Sequence, residues 1–138
     1  MTRSLGLDLG DKRIGVALSD PQGILASPLT IIDCKDEASD IAAITALVDQ
    51  HGVERIVVGL PRSMDGNIGK QAEKVQAFAR QLCRHTEVPV EFRDERLTTV
   101  SAKRLTRAAA TKKNRTKVRY DAAAAALILQ GYLDEAST

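Results

Sequence analysis

Aromatic residues are almost missing from this chain, with two Tyr, two Phe and no Trp in 138 residues. A sheet that binds single strands by stacking bases on exposed rings is therefore not expected. Cysteine is as scarce. Cys34 and Cys83 fit no metal-ligand or redox spacing, so both read as reduced structural thiols of a cytoplasmic protein. No apolar run approaches the length of a membrane span. The N-terminus reaches strand pattern within four residues and has no signal-peptide layout. The longest stretch without an acidic residue contains Arg96 to Arg119, which holds nine Lys or Arg. The rest of the chain carries 11 basic against 18 acidic residues, so the net charge of +2 hides a cationic segment in an acidic chain. A polyanionic partner is the simplest reason for such polarity.

What is present is organised around the first twenty residues. Leu5, Leu7 and Leu9 alternate with Gly6, Asp8 and Gly10. The period of two predicts a strand with leucines on one face and a carboxylate between glycines on the other. Glycine weakens a strand interior unless something must approach the backbone closely. Asp8 is thus either a solvated edge carboxylate or a group that a metal ion or phosphate can reach.

The remaining pattern reads in order. A turn at Gly10-Asp11-Lys12 leads to a return strand over Ile14–Leu18, and Asp20-Pro-Gln-Gly23 makes a second turn. Ser27–Ile32 is the third strand of an antiparallel meander. Ser39 or Asp40 caps a helix bearing Ile41, Ile44, Leu47 and Val48, which stops at Gly52. Ile56–Leu60 is an apolar strand covered on both faces. Ala72, Val75, Phe78, Ala79, Leu82 and Cys83 then share one face of a second helix. Val88–Phe92 is the fifth strand, and Thr98 or Thr99 caps a short helix to about Ala110. A basic loop over 111–117 precedes a last helix over Val118–Leu133.

This order predicts a single α/β domain over 1–138. Its mixed five-stranded sheet is a three-strand antiparallel meander plus two parallel strands, with helices on both faces. Right-handed crossovers put strand four beside strand one and strand five beside strand four. Carboxylates at Asp8, at Asp94-Glu95 and at Asp121 then converge at one edge of the sheet.

Five segments carry a family resemblance: Asp8-Leu-Gly-Asp-Lys-Arg-Ile-Gly-Val-Ala17, Val58-Gly-Leu-Pro61, Met64-Asp-Gly66, Asp94-Glu-Arg-Leu-Thr-Thr99, and Asp121-x-x-Ala-Ala with Ile128-Leu129. In order and over essentially the whole chain, they resemble the YqgF/RuvX family of the RNase H-like superfamily. The resemblance implies an RNase H-like nuclease fold with a divalent-metal site. It also implies one of two roles, trimming of the 5′ end of pre-16S rRNA or resolution of Holliday junctions. Ser63, where Asn is common, and Tyr120, where Val or Ile is common, depart from the family pattern without touching an acidic position.

Under that resemblance the catalytic and metal-binding residues are Asp8, as the bridging ligand, with Glu95 and Asp121 outside it. Asp94 is the alternative to Glu95. Alternation from Val88, Val90 and Phe92 sends Asp94 to the core row and Glu95 to the row of Glu91. Mg²⁺ (or Mn²⁺) takes oxygen ligands and keeps several waters, so three carboxylates suffice. A pair of such ions suits in-line hydrolysis of a phosphodiester. Lys12 and Arg13 either touch a phosphate or are exposed hairpin charges. Arg96, Lys103, Arg107, Lys112, Lys113, Arg115 and Lys117 are the expected nucleic-acid contacts. The expected partner is structured RNA, with the ribosomal particle among the candidates, or alternatively branched DNA. With no heptad or large apolar stripe, the chain reads as a monomer or weak homodimer, which favours RNA over a two-fold junction. Two further classes stand beside these. Asp-x-Gly-x-Lys also resembles the first phosphate loop of actin-like and sugar kinases, and a non-catalytic RNA-binding factor could keep the same fold.

Overall fold

The computed structural model describes residues 3–10, 12–60, 69–94 and 117–136. Within them, β1 (Ser4–Leu9), β2 (Arg13–Ser19) and β3 (Ala26–Asp33) are followed by α1 (Glu37–His51) and β4 (Arg55–Leu60). Then come α2 (Lys70–His85), β5 (Val90–Asp94) and α3 (Lys117–Ala136). The strands form one sheet in the order β3-β2-β1-β4-β5. β1 pairs antiparallel with β2 and β2 with β3, while β4 runs parallel to both β1 and β5. The mixed five-stranded sheet and both crossover placements are as the sequence predicts.

The alternation in β1 divides the core into two layers. Leu5, Leu7, Ile14, Val16, Ile56 and Val58 pack with α1 (Ile41, Ile44, Val48) and α2 (Ala72, Val75, Leu82). The opposite row, including Ala17 and Val57, packs against Ala125, Ile128, Leu129 and Leu133 of α3. Gly6 belongs to this second row. A Cβ on it would lie 2.8 Å from Leu129 Cβ and 2.9 Å from the Ala125 carbonyl oxygen. The close approach that this glycine permits is therefore that of a helix. Gly10 is also occupied structurally: its N–H donates to the Arg13 carbonyl at 2.9 Å, and an added Cβ would meet that oxygen at 2.8 Å. Both glycines that suggested an open approach to Asp8 are thus explained by packing and by the hairpin.

Several boundaries differ from the sequence expectation for local reasons. Helix α1 is capped by Asp36, whose carboxylate accepts from the Ser39 N–H at 2.8 Å and the Ser39 hydroxyl at 3.0 Å. Ser39 thus serves as the capped residue. Asp40 is buried and accepts from the Lys35 N–H at 3.1 Å, holding the incoming loop. The stop at Gly52 is as expected, with φ of 62° and the Val53 N–H returning to the Val48 carbonyl. β5 begins at Val90 rather than Val88 because the Val88 N–H bonds to the Thr86 hydroxyl and Pro89 has no N–H to offer. Cys83, expected on the packed face of α2, is exposed. The last helix extends from Lys117 to Ala136. The expected short helix over 98–110 lies outside the described residues.

Candidate active site

Asp8 is half-buried on β1, opposite Gly15 of β2, in the row of Gly6 that faces α3. The path of α3 follows from three contacts. The Ser4 N–H donates to the Ser19 hydroxyl at 2.8 Å, Ser19 pairs with Ala26, and the Ala26 N–H donates to Gln130 Oε1 at 2.9 Å. Two residues further along β1, Gly6 lies against Leu129 and Ala125. Numbers on α3 therefore fall as β1 advances, and the helix runs antiparallel to the strand. Two strand residues advance about 7 Å, and four helix residues about 6 Å. One turn back from Ala125, the backbone of Asp121 comes level with Asp8.

The ladder between β4 and β5 sorts the paired acids by row. Glu91 pairs with Val57, Arg93 with Gly59 and Asp94 with Leu60. Val57 packs on α3, and Glu91 and Arg93 reach α3 through their side chains, whereas Leu60 belongs to the layer under α1 and α2. Position 94 therefore falls in the row of Val90 and Phe92, on the side away from α3. Glu95 lies outside the described residues, as do Arg96, Lys103, Arg107, Lys112, Lys113, Arg115 and the Met64-Asp-Gly66 segment. Lys117 is the first residue of α3. Lys12 is exposed at the hairpin, where its carbonyl accepts from the Cys34 N–H at 2.9 Å. Arg13 Nε stands 3.8 Å from Asp33 Oδ1, both side chains being well exposed; such a pair adds little stability. Among the described residues no group of three His, Cys, Asp or Glu is arranged to hold a metal.

Residues that the sequence reading did not single out fasten α3 over the sheet. On one flank, Gln130 bonds the Ile24 carbonyl of the β2–β3 connection and the N–H of Ala26 at the start of β3, both at 2.9 Å. On the other, Arg55 donates to the Tyr132 hydroxyl at 2.7 Å, and that hydroxyl donates to Glu91. Arg55 Nε also stands 3.2 Å from Glu91 Oε2. Burial, reinforced by the bond to Glu91, pushes the Tyr132 phenol above its ordinary pKa. Arg93 Nη2 donates to Glu135 Oε1 at 3.0 Å. The sequence signal for this face was the polar alternation of Glu91 and Arg93 with Val90 and Phe92. It marks a strand row facing a partner with polar groups of its own.

The family described as "RuvX: Holliday junction resolvase" matches residues 2–135. A Moorella thermoacetica protein is 53% identical over 132 residues, covering 96% of this chain and 94% of its own length. One from Dehalococcoides mccartyi is 52% identical over 127 residues, covering 92% and 94%. Both carry the name "Putative pre-16S rRNA nuclease". Among solved structures, T. thermophilus RuvC in complex with a Holliday junction substrate matches with a TM-score of 0.66 at 13% identity, covering 100% of this chain and 98% of that one. The fowlpox virus resolvase with junction DNA matches with a TM-score of 0.59 at 10% identity, covering 99% and 100%. At these identities the likeness is one of fold, and that fold is the RNase H-like one expected from the sequence. The match over nearly the whole chain and the identities above 50% make this chain a member of the RuvX family.

Proposed function

We propose that this chain is a metal-dependent endonuclease that hydrolyses phosphodiester bonds at the 5′ end of pre-16S rRNA in the cytoplasm. The observation that carries the reading is the 53% identity, over almost the full length of both chains, to a relative named for that activity. The geometry supports it. Asp8 lies at the carboxyl end of a central strand, in the row under α3 and level with the backbone of Asp121. The row assignment of Glu91 and Arg93 favours Glu95 over Asp94 as the acid on the same side as Asp8.

Asp8, Glu95 and Asp121 form an all-oxygen donor set, which fits Mg²⁺ or Mn²⁺ and needs no His or Cys. Such ions supply an activated water and charge stabilisation at the leaving oxygen. In this reading the residues of the chain have separate tasks. The central strand holds Asp8 rigidly, α3 carries Asp121, and the basic segment from Arg96 to Lys117 grips the backbone on either side of the scissile phosphate. Lys12 is available at the hairpin for a further phosphate contact, while the Asp33 carboxylate beside Arg13 makes that residue the weaker candidate.

A second reading, resolution of branched DNA, is favoured by the family's description and by the fold shared with junction resolvases. It requires two chains acting on a two-fold junction, whereas rRNA trimming is compatible with a monomer. The test is a cleavage assay offering a precursor-rRNA 5′ fragment and junction DNA, each with Mg²⁺ and with Mn²⁺. Cleavage of the RNA, abolished in Asp8→Asn, is expected. Cleavage of the junction alone would replace this reading by the second, and undiminished activity in Asp8→Asn would remove Asp8 from the site.

A further inference from the structure

Gly131 lies in the interior of the 20-residue helix α3, where glycine is a poor helix former. The reason for it stands directly opposite. A Cβ on Gly131 would lie 2.5 Å from Arg93 Cζ, 2.5 Å from Nη2 and 2.9 Å from Nε. The guanidinium thus rests on bare helix backbone, and the Arg93 side chain is only 11% exposed. One turn further along α3, Glu135 accepts from Nη2 at 3.0 Å. Together these contacts seat Arg93 of β5 on α3.

The location makes this seat more than packing. β5 is hydrogen-bonded to β4 and is the last strand of the described sheet on that side. Arg93 is two residues before Glu95, and Gly131 is ten residues after Asp121 on a continuous helix. Residue 93 is therefore where the strand leading to one proposed ligand is fastened to the helix bearing another. Ten helical residues are a lever of about 15 Å, so a small tilt at Gly131 displaces position 121. Mg²⁺ demands near-ideal octahedral placement of its ligands.

We propose that Arg93, seated on Gly131 and paired with Glu135, is a positioning residue that fixes α3, the helix bearing Asp121, against the carboxyl end of β5. The proposal rests on the reading of Asp8, Glu95 and Asp121 as one metal site. Gly131→Ala is the cleanest probe, because the atoms its methyl meets are the far end of a flexible side chain. The guanidinium is evicted while helix propensity improves. Arg93→Gln removes the same contact from the other side.

Mn²⁺ binding to the full chain without nucleic acid, followed by electron paramagnetic resonance, is compared with thermal unfolding for the parent, both variants and Asp8→Asn. The expected result is Mn²⁺ affinity lowered roughly tenfold or more in Gly131→Ala and Arg93→Gln, the loss typical when support behind a metal ligand is removed. The melting temperature of Gly131→Ala should be unchanged or raised. Parent-like Mn²⁺ binding in both variants, with binding lost in Asp8→Asn, would overturn the positioning role and leave the metal site standing. A loss of affinity that merely followed a fall in melting temperature in both variants would overturn it too. Parent-like binding in Asp8→Asn would remove the site itself, and the positioning role with it.

Discussion

Gly6 on β1 and Leu129 on α3 meet so closely that the Cβ of Leu129 would be 2.8 Å from any Cβ added to residue 6. The second obstacle is the Ala125 carbonyl oxygen at 2.9 Å, which belongs to the helix backbone. Neither can swing aside. Gly6→Ala must therefore push α3 off the sheet, with an overpacking cost of about 1–3 kcal/mol. Urea unfolding should show the loss in its midpoint. Because the displaced helix carries Asp121, nuclease activity should fall as well. A parent-like midpoint and parent-like activity would contradict the packing of α3 on β1.

Asp94 closes β5, with Glu95 next in the sequence, and successive positions of a strand fall in opposite rows. The row of Glu91 and Arg93 faces α3, as does that of Asp8, and position 94 belongs to the other. Glu95→Gln should therefore abolish cleavage, while Asp94→Asn should retain most of it. Single-turnover rates of the two variants at saturating Mg²⁺ make the comparison. A larger loss for Asp94→Asn would reverse the assignment.

Much of this was legible in local pattern. Alternation in β1 separated the Leu5 and Leu7 row from the Asp8 row, and the handedness of crossovers placed β4 and β5. What local pattern could not convey was the partner of each residue. Gly6 and Gly10 looked like open backbone around Asp8, yet one accommodates Leu129, far away in sequence, and the other the hairpin itself. Gly131, inside α3, accommodates Arg93, which is 38 residues earlier in the sequence. The start of β5 moved because a proline and a side-chain bond removed two donors that the apolar pattern ignores. The expected caps of α1 were Ser39 or Asp40. Asp36 prevails because its carboxylate bonds Ser39, leaving Asp40 to hold the preceding loop.

The Asp36 cap gives a pH dependence with a definite sign. Its hydrogen bonds from the Ser39 N–H and then the Ser39 hydroxyl hold the carboxyl below the ordinary value of about 3.9. Asp20 is lowered likewise, by the N–H groups of Leu25 and Ile24. A group whose folded pKa is depressed contributes stability that is complete above its unfolded pKa. That contribution is lost as pH falls through the lower, folded value. Asp36→Asn and Asp20→Asn should therefore unfold at temperatures closer to the parent's at about pH 2.5 than at about pH 6, on either side of the ordinary carboxylate range. A gap to the parent that stayed constant between the two pH values would mean that neither charge takes part.

The basic segment offers a prediction about binding that is independent of the metal. Nine cations without one acid between Arg96 and Arg119 follow Glu95 directly and end two residues before Asp121. Both ends of the segment thus adjoin, in sequence, residues of the proposed site. A solvated surface ordinarily mixes both signs, so an unmixed run in an otherwise acidic chain calls for an anionic partner. With so few aromatics in the chain, the grip is expected to come from charge rather than from stacking. Taking away one phosphate-binding cation should then lower the slope of log affinity against log salt by roughly 0.7–0.9. Replacing Lys112, Lys113, Arg115 and Lys117 with neutral residues should flatten that slope. It should also weaken RNA binding almost equally across sequences, while Mn²⁺ binding to the free protein persists or tightens through relief of positive charge. Fluorescence anisotropy with labelled RNA between about 50 and 200 mM salt, the range over which such charge pairing dominates, reads the effect. An unchanged slope in the fourfold variant would show that the segment does not hold nucleic acid, and its charge would then be a docking surface for an acidic protein.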